Sequence, residues 1–252
     1  MSILKKLFLP VLILFFIAAC SSDKAALKDS GISEAEEALI QANEKINNKD
    51  YEAAKVLLEK VKTTDTTMKF ATLAQIRLAD IYFEQELFDE ASIEYENFLS
   101  MHPYNKYAPY AQFQLAMSFY KQMTTVDVSY SLALRALKEF RILQESYPRN
   151  PYMDVTETRI AKCLSILAEH ELYVGMFYFN KEAYASAASR FNELLEKYPD
   201  LKKEADVYYY LGLSYKNLGE KEKALKAFTT LIEKFPATAL AKEAEDIIAK
   251  IK

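Results

Sequence analysis

Three observations predict an all-α chain built from about five helix-pair repeats and closed by a C-terminal capping helix. One pattern of small, aromatic, apolar and proline residues recurs along the 252 positions. Helix-start signals fall at the boundaries that this pattern sets. The chain has four Gly and no Val/Thr alternation, which leaves little room for strands.

The pattern has six positions: a small residue, an aromatic three later, an Ala nine after that, a large apolar residue four on, another three on, and Pro five on. The second repeat reads Ala79, Tyr82, Ala91, Tyr95, Phe98, Pro103. The fourth reads Gly175, Tyr178, Ala187, Phe191, Leu194, Pro199, and the fifth Gly212, Tyr215, Ala224, Phe228, Leu231, Pro236. Small residues on the first helix are expected opposite Ala91, Ala187 and Ala224 on the second, so that the two helices approach closely as an antiparallel pair. Apolar residues at spacings of three and four continue the same face. The Pro ends the second helix, because the residue before it avoids the α region.

Two repeats depart from this. The third (Ala116, Phe119, Ala136, Phe140, Leu143, Pro148) has eight extra residues between its helices, and Met123 to Ser129 reads as a polar, β-branched loop. The first (Ala42, Lys45, Ala54, Leu58, Val61) has Thr66 where Pro would stand, as suits an atypical terminal repeat. Ser33-Glu34-Ala35-Glu36 is a capping box. Asn150-Pro151 offers an N-cap with Pro in the first turn, opening one long helix from Pro151 to Asn180. Thr238 to Lys252 forms the amphipathic cap.

The spacing resembles the tetratricopeptide repeat (TPR), which implies a right-handed superhelix with the first helix of each pair on its concave side. Ile76, Asp80 and Phe83 in the second repeat, and Phe113, Met117 and Tyr120 in the third, then either line a groove suited to an aromatic-bearing peptide or pack against neighbouring repeats.

The first residues read as an address and not as structure. Lys5 and Lys6 precede an apolar run from Leu7 to Ile17, too short to cross a bilayer core of ~30 Å. Ile17-Ala18-Ala19-Cys20 is a lipobox. Residues 1–19 are expected to be a cleaved lipoprotein signal peptide, with diacylglycerol on Cys20 and a further acyl chain on its amino group. At ~0.8 kcal/mol per buried CH₂, such an anchor is stable. Ser21 in place of Asp favours the outer membrane, and residues 20–33 form the lipidated end and a flexible tether. The mature chain carries 30 basic and 36 acidic residues with interspersed signs, a formal charge of −6, and does not read as a nucleic-acid binder, which would need a basic face.

No catalytic or metal-binding set is legible. There is no phosphate loop, no metal spacing of Cys or His, and no Ser-His-Asp arrangement. Cys163 lies in a helical pattern as a small hydrophobe. His102 stands where other repeats have Tyr147, Tyr198 and Phe235 before the Pro, and His170 has no partner that the sequence can name. No metal or cofactor is expected beyond the lipid on Cys20, and the chain reads as a protein-binding scaffold.

Taken with the lipobox and five repeats, two segments resemble the BamD family, lipoproteins of the machinery that folds β-barrels into the outer membrane. One is His102-Pro103-Tyr104-Asn105-Lys106-Tyr107-Ala108-Pro109-Tyr110-Ala111, and the other is Val174 to Pro199 with Tyr178-Phe179, Ala183-Tyr184 and Arg190. The resemblance implies that the N-terminal repeats (34–149) receive the C-terminal targeting strand of unfolded barrel proteins. It also implies that the C-terminal repeats and cap (150–252) dock on the periplasmic domains of the central, BamA-like barrel subunit. Arg190 is the matching candidate for an interprotein salt bridge; as an ordinary surface pair it would contribute ~0–1 kcal/mol. The alternative function is that of another periplasmic repeat lipoprotein, one coordinating cell-wall synthesis or envelope maintenance.

Overall fold

The computed structural model describes residues 32–123, 126–199 and 202–251, without the side chains of 126–128. The signal peptide, Cys20 and the tether as far as residue 31 lie outside the described residues. Those described form α-helices and no strand: α1 (Glu34–Asn47), α2 (Tyr51–Thr64), α3 (Ala71–Glu84), α4 (Phe88–Met101), α5 (Ala108–Lys121), α6 (Val126–Ser146), α7 (Met153–Asn180), α8 (Tyr184–Lys197), α9 (Glu204–Asn217), α10 (Lys221–Lys234) and α11 (Ala239–Ile251). The helices pack into two compact bodies, divided between Ala71 and Thr72.

In the first body α1 and α2 pair through Ala42, Ala54, Leu58 and Val61, all fully buried. Ser33 caps α1, its hydroxyl accepting the Glu36 amide at 3.2 Å. Lys60 on α2 meets Glu34 on α1 at 2.8 Å.

Asp65 replaces the missing Pro at the end of α2. Its Oδ1 accepts the Thr67 amide (3.0 Å) and hydroxyl (2.6 Å), and its Oδ2 accepts the amides of Phe70 and, at 2.8 Å, Ala71. Burial by itself raises the pKa of this carboxyl, but the Thr67 hydroxyl and the Ala71, Phe70 and Thr67 amides outweigh it and hold the group at about 2. The folded value is depressed, so the stabilisation is present above the unfolded value of 3.8 and lost as pH falls through about 2. Asp65→Ala should cost about 2 kcal/mol at neutral pH. In urea titrations followed by circular dichroism, the gap to the unmutated chain should narrow as pH falls from about 4 through about 2. A gap independent of pH would remove Asp65's charge from the account.

The first-to-second-helix turn is built one way in four of the pairs. Seven residues after the small position stand Lys49, Glu86, Glu182 and Gly219, all at positive φ (58°, 60°, 58° and 77°). The next amide bonds back to the carbonyl of Lys45, Tyr82, Tyr178 or Tyr215, at 2.9, 2.9, 3.0 and 2.9 Å. This left-handed helix termination satisfies carbonyls that the helix end would otherwise strand. Only the fifth pair uses Gly for it. At the other end, the amides of His102, Tyr147, Tyr198 and Phe235, each just before Pro, close the second helix on Phe98, Leu143, Leu194 and Leu231.

Three sequence expectations change. The small residues of the fourth and fifth pairs do not meet Ala187 and Ala224 first. A Cβ on Gly175 would lie 2.5 Å from Cε1 of Phe191, and one on Gly212 would lie 2.6 Å from Cε1 of Phe228. The close approach is therefore between the first helix's backbone and a ring one turn beyond the Ala. Of the stretch 123–129 expected as a loop, 126–129 belong to α6 instead, which is helical from Val126 and runs 21 residues; 124 and 125 lie outside the described residues. β-Branched propensity is a weak prior that tertiary burial overrides: Ser129 and Ala133 are buried, and the Tyr130 ring lies 4.3 Å from that of His170 on α7. That ring is the partner the sequence could not name. Asn150 does not cap α7, which starts at Met153; its side chain accepts the Tyr152 amide (2.8 Å) and donates to the Tyr147 carbonyl (2.6 Å), closing the turn before the helix.

The last helix closes the stack as a cap should. Leu240, Ile247, Ile248 and Ile251 pack against the buried cluster of Ala224, Phe228, Leu231 and Ala244. Positions matching Ala205, Tyr208, Tyr209 and Leu213 of α9, which pack against the following helix, carry Lys242, Glu245, Asp246 and Lys250, all exposed. A polar outer face is what lets a stack end in water.

Candidate functional site

The groove forms where the first helices of the second and third pairs meet the turn before α7. Leu73, Ile76, Arg77 and Asp80 come from α3, Lys106, Tyr107, Pro109 and Tyr110 from the start of α5, and Arg149 to Tyr152 from that turn. They enclose about 500 Å³, room for a few side chains of an extended peptide.

Asp80 organises its floor. Oδ1 accepts hydrogen bonds from the hydroxyls of Tyr95 and Tyr110, both at 2.7 Å, and Oδ2 lies 3.3 Å from Nη1 of Arg77. Burial pushes the Asp80 pKa up, while the two hydroxyls and Arg77 pull against it. Burial and the Asp80 charge push both tyrosine pKa values well above their usual range, so both hydroxyls stay donors. With its carboxylate so engaged, the groove presents Arg77, Lys106 and Arg149 to a ligand. Arg77 Nε is buried without an acceptor among the described residues.

The six residues expected along the groove separate. Ile76 and Asp80 line it. Phe83 packs edge-on against Phe88 at 5.2 Å. Phe113 stacks on Tyr152 at 4.6 Å, and Tyr120 receives Arg159, whose guanidinium lies 4.9 Å from the ring centre. Met117 is only 8% exposed and belongs to the core. Sequence reasoning missed Arg77, Lys106, Arg149 and the hydroxyls of Tyr95 and Tyr110. One signal was available: a carboxylate on the otherwise apolar stripe of Ile76, Asp80 and Phe83 demands buried donors.

Arg190 on α8 reaches Glu171 on α7, Nη1 to Oε2 at 3.5 Å, with its side chain 40% exposed. Cys163 is fully buried, and burial pushes its thiol up to about 11, so it is protonated at neutral pH and packs as a hydrophobe. No described helix is long and apolar enough to cross a membrane, and no group of three or more His, Cys, Asp or Glu among the described residues could hold a metal ion.

Paired helices of this repeat, joined to a peptide-sized groove, define a tetratricopeptide-type scaffold. A family model described as outer membrane lipoprotein (YfiO) matches residues 33–227, and the chain belongs to that family. It is 24% identical over 212 residues to the outer membrane protein assembly factor BamD of Neisseria gonorrhoeae, covering 79% of each chain. To the protein of that name from Buchnera aphidicola it is 25% identical over 200 residues, 75% of this chain and 80% of the relative. Among solved structures, a TPR protein of Thermus thermophilus overlaps 86% of this chain and 98% of its own at 15% identity, with a TM-score of 0.37.

Proposed function

We propose that this chain is a lipid-anchored assembly factor for outer-membrane β-barrel proteins, holding an unfolded client in one half of its repeats and the central barrel subunit with the other. Family membership over 33–227 is the observation that carries this reading, and relatives named as outer membrane protein assembly factors support it.

The groove's chemistry agrees with the client half, 34–149. Apolar Leu73 and Ile76 lie beside Arg77, Lys106 and Arg149. That combination suits the end of a polypeptide, where an aromatic side chain sits next to a terminal carboxylate. Lipid on Cys20 would hold the scaffold at the periplasmic face of the outer membrane. The docking half, 150–252, would engage the periplasmic domains of a BamA-like subunit through the surface around Arg190, exchanging the Glu171 contact for a partner carboxylate.

Crosslinking in cells followed by purification in detergent tests the whole reading, and a barrel protein with periplasmic domains should be recovered. If none is, the assembly role is wrong. Arg190→Glu should weaken that complex about tenfold and leave the circular dichroism spectrum unchanged. Unchanged recovery would remove Arg190 from the docking surface.

A further inference from the structure

The repeat places a second groove at the positions matching the first. Counting ninety-six residues on from Leu73, Ile76, Arg77 and Asp80 gives Glu169, Leu172, Tyr173 and Met176. The same step from Tyr107, Tyr110 and Gln114 gives Lys203, Asp206 and Tyr210. These seven enclose about 300 Å³ between α7 and α9. Architecture is repeated while charge is reversed. In the first groove the carboxylate is tied to two tyrosine hydroxyls and to Arg77, and Lys106 and Arg149 remain. In the second, Met176 stands where Asp80 was, Asp206 stands where Tyr110 was, and among the described residues Lys203 is the only cation lining it.

We propose that this second groove docks an extended segment of a partner protein carrying basic and aromatic side chains together. Leu172 and Met176 make an apolar floor, and Met repacks around varied shapes. Tyr210 is held as a fixed wall by Phe179 and Phe191, at ring separations of 5.2 and 6.4 Å. The opposite wall, Tyr173, is 62% exposed. Glu169 spends one hydrogen bond on Ser165 (3.2 Å), and Asp206 has no partner among the described residues. An exposed tyrosine face beside carboxylates binds a guanidinium or ammonium group by cation–π attraction and charge-assisted hydrogen bonds. One turn along α7, Phe177 is 50% exposed, although its counterparts Ile81, Ser118 and Ser214 are buried. It extends the apolar surface for the segment's aromatic residues. The proposal stands apart from the reading of the first groove, since no residue is shared.

The test is fluorescence anisotropy of the full chain in detergent with a labelled decapeptide of alternating Arg, Phe and Thr, beside the same peptide with Glu for Arg. The Arg peptide should bind, more weakly as salt rises. Glu169→Lys with Asp206→Lys should weaken it about tenfold and give the Glu peptide a corresponding gain. Tyr173→Ala should also weaken the Arg peptide about tenfold. Glu245→Lys with Asp246→Lys, the same charge change on the exposed face of the cap, should leave it unaltered. Circular dichroism confirms folding, with Asp206→Asn as the milder variant. Three results would overturn the proposal: no binding of the Arg peptide at millimolar concentration, indifference to the changes at 169, 173 and 206, or an equal loss with the pair of changes at 245 and 246.

Discussion

Replacing Phe228 by Ala should cost about 3–5 kcal/mol of unfolding free energy, and in that background Gly212→Ala should turn from destabilising to stabilising. Phe228 is fully buried, and its Cε1, Cδ1 and Cζ would lie 2.6, 2.7 and 2.8 Å from a Cβ at position 212. Two effects of known size compete there. Ala exceeds Gly by about 1 kcal/mol in a helix interior, whereas overpacking a filled core costs about 1–3 kcal/mol. With the ring present, overpacking outweighs propensity and Gly212→Ala destabilises. With the ring gone, propensity remains and the methyl enters the space vacated. A double-mutant cycle in urea, read by helical circular dichroism, measures this coupling. Equal effects of Gly212→Ala in both backgrounds would mean that the ring does not set the need for Gly. Gly175 and Phe191 form the same pair in the fourth repeat, and the reversal should recur there.

Asp80→Ala should destabilise the second body by about 2–4 kcal/mol, and Asp80→Asn by no more than about 1 kcal/mol. Ala strips the acceptor from two hydroxyls at once, one of them on fully buried Tyr95. Because Oδ1 takes both, an Asn carbonyl in its place keeps both and loses only the partly exposed contact with Arg77. The pH dependence has a definite sign. Burial raises the folded pKa of Asp80, so its contribution is full below the unfolded value and declines as pH rises through the folded one. Asp80→Asn should therefore gain on the unmutated chain as pH rises from about 4. Thermal melts across pH test both statements. Equal losses for Ala and Asn would show that the carboxylate's charge, and not its acceptor geometry, holds the tyrosines.

The repeat was legible because its spacing is local. Helix periodicity, the breaker Pro and a small residue at the crossing are all encoded within about forty positions. Residues that work across longer gaps were not. Nothing near Asp80 announces Tyr110, thirty positions on, nor does anything near His170 announce Tyr130. The third pair shows the same limit in reverse. Polar and β-branched composition pointed to a loop at 123–129, yet packing against α7 carries the helix to Val126.

Lipid anchoring as an expectation, helix pairing and the polar cap follow from the sequence by itself, since each depends on residue type at fixed short spacing. Tertiary structure decided which small residue meets which ring, which carboxylate is consumed and which stays available, and hence the opposite charges of the two grooves. The reason is physical: periodicity determines which face of a helix is buried, but a groove's electrostatics depends on hydrogen bonds between helices. Those bonds exist only once the helices have stacked.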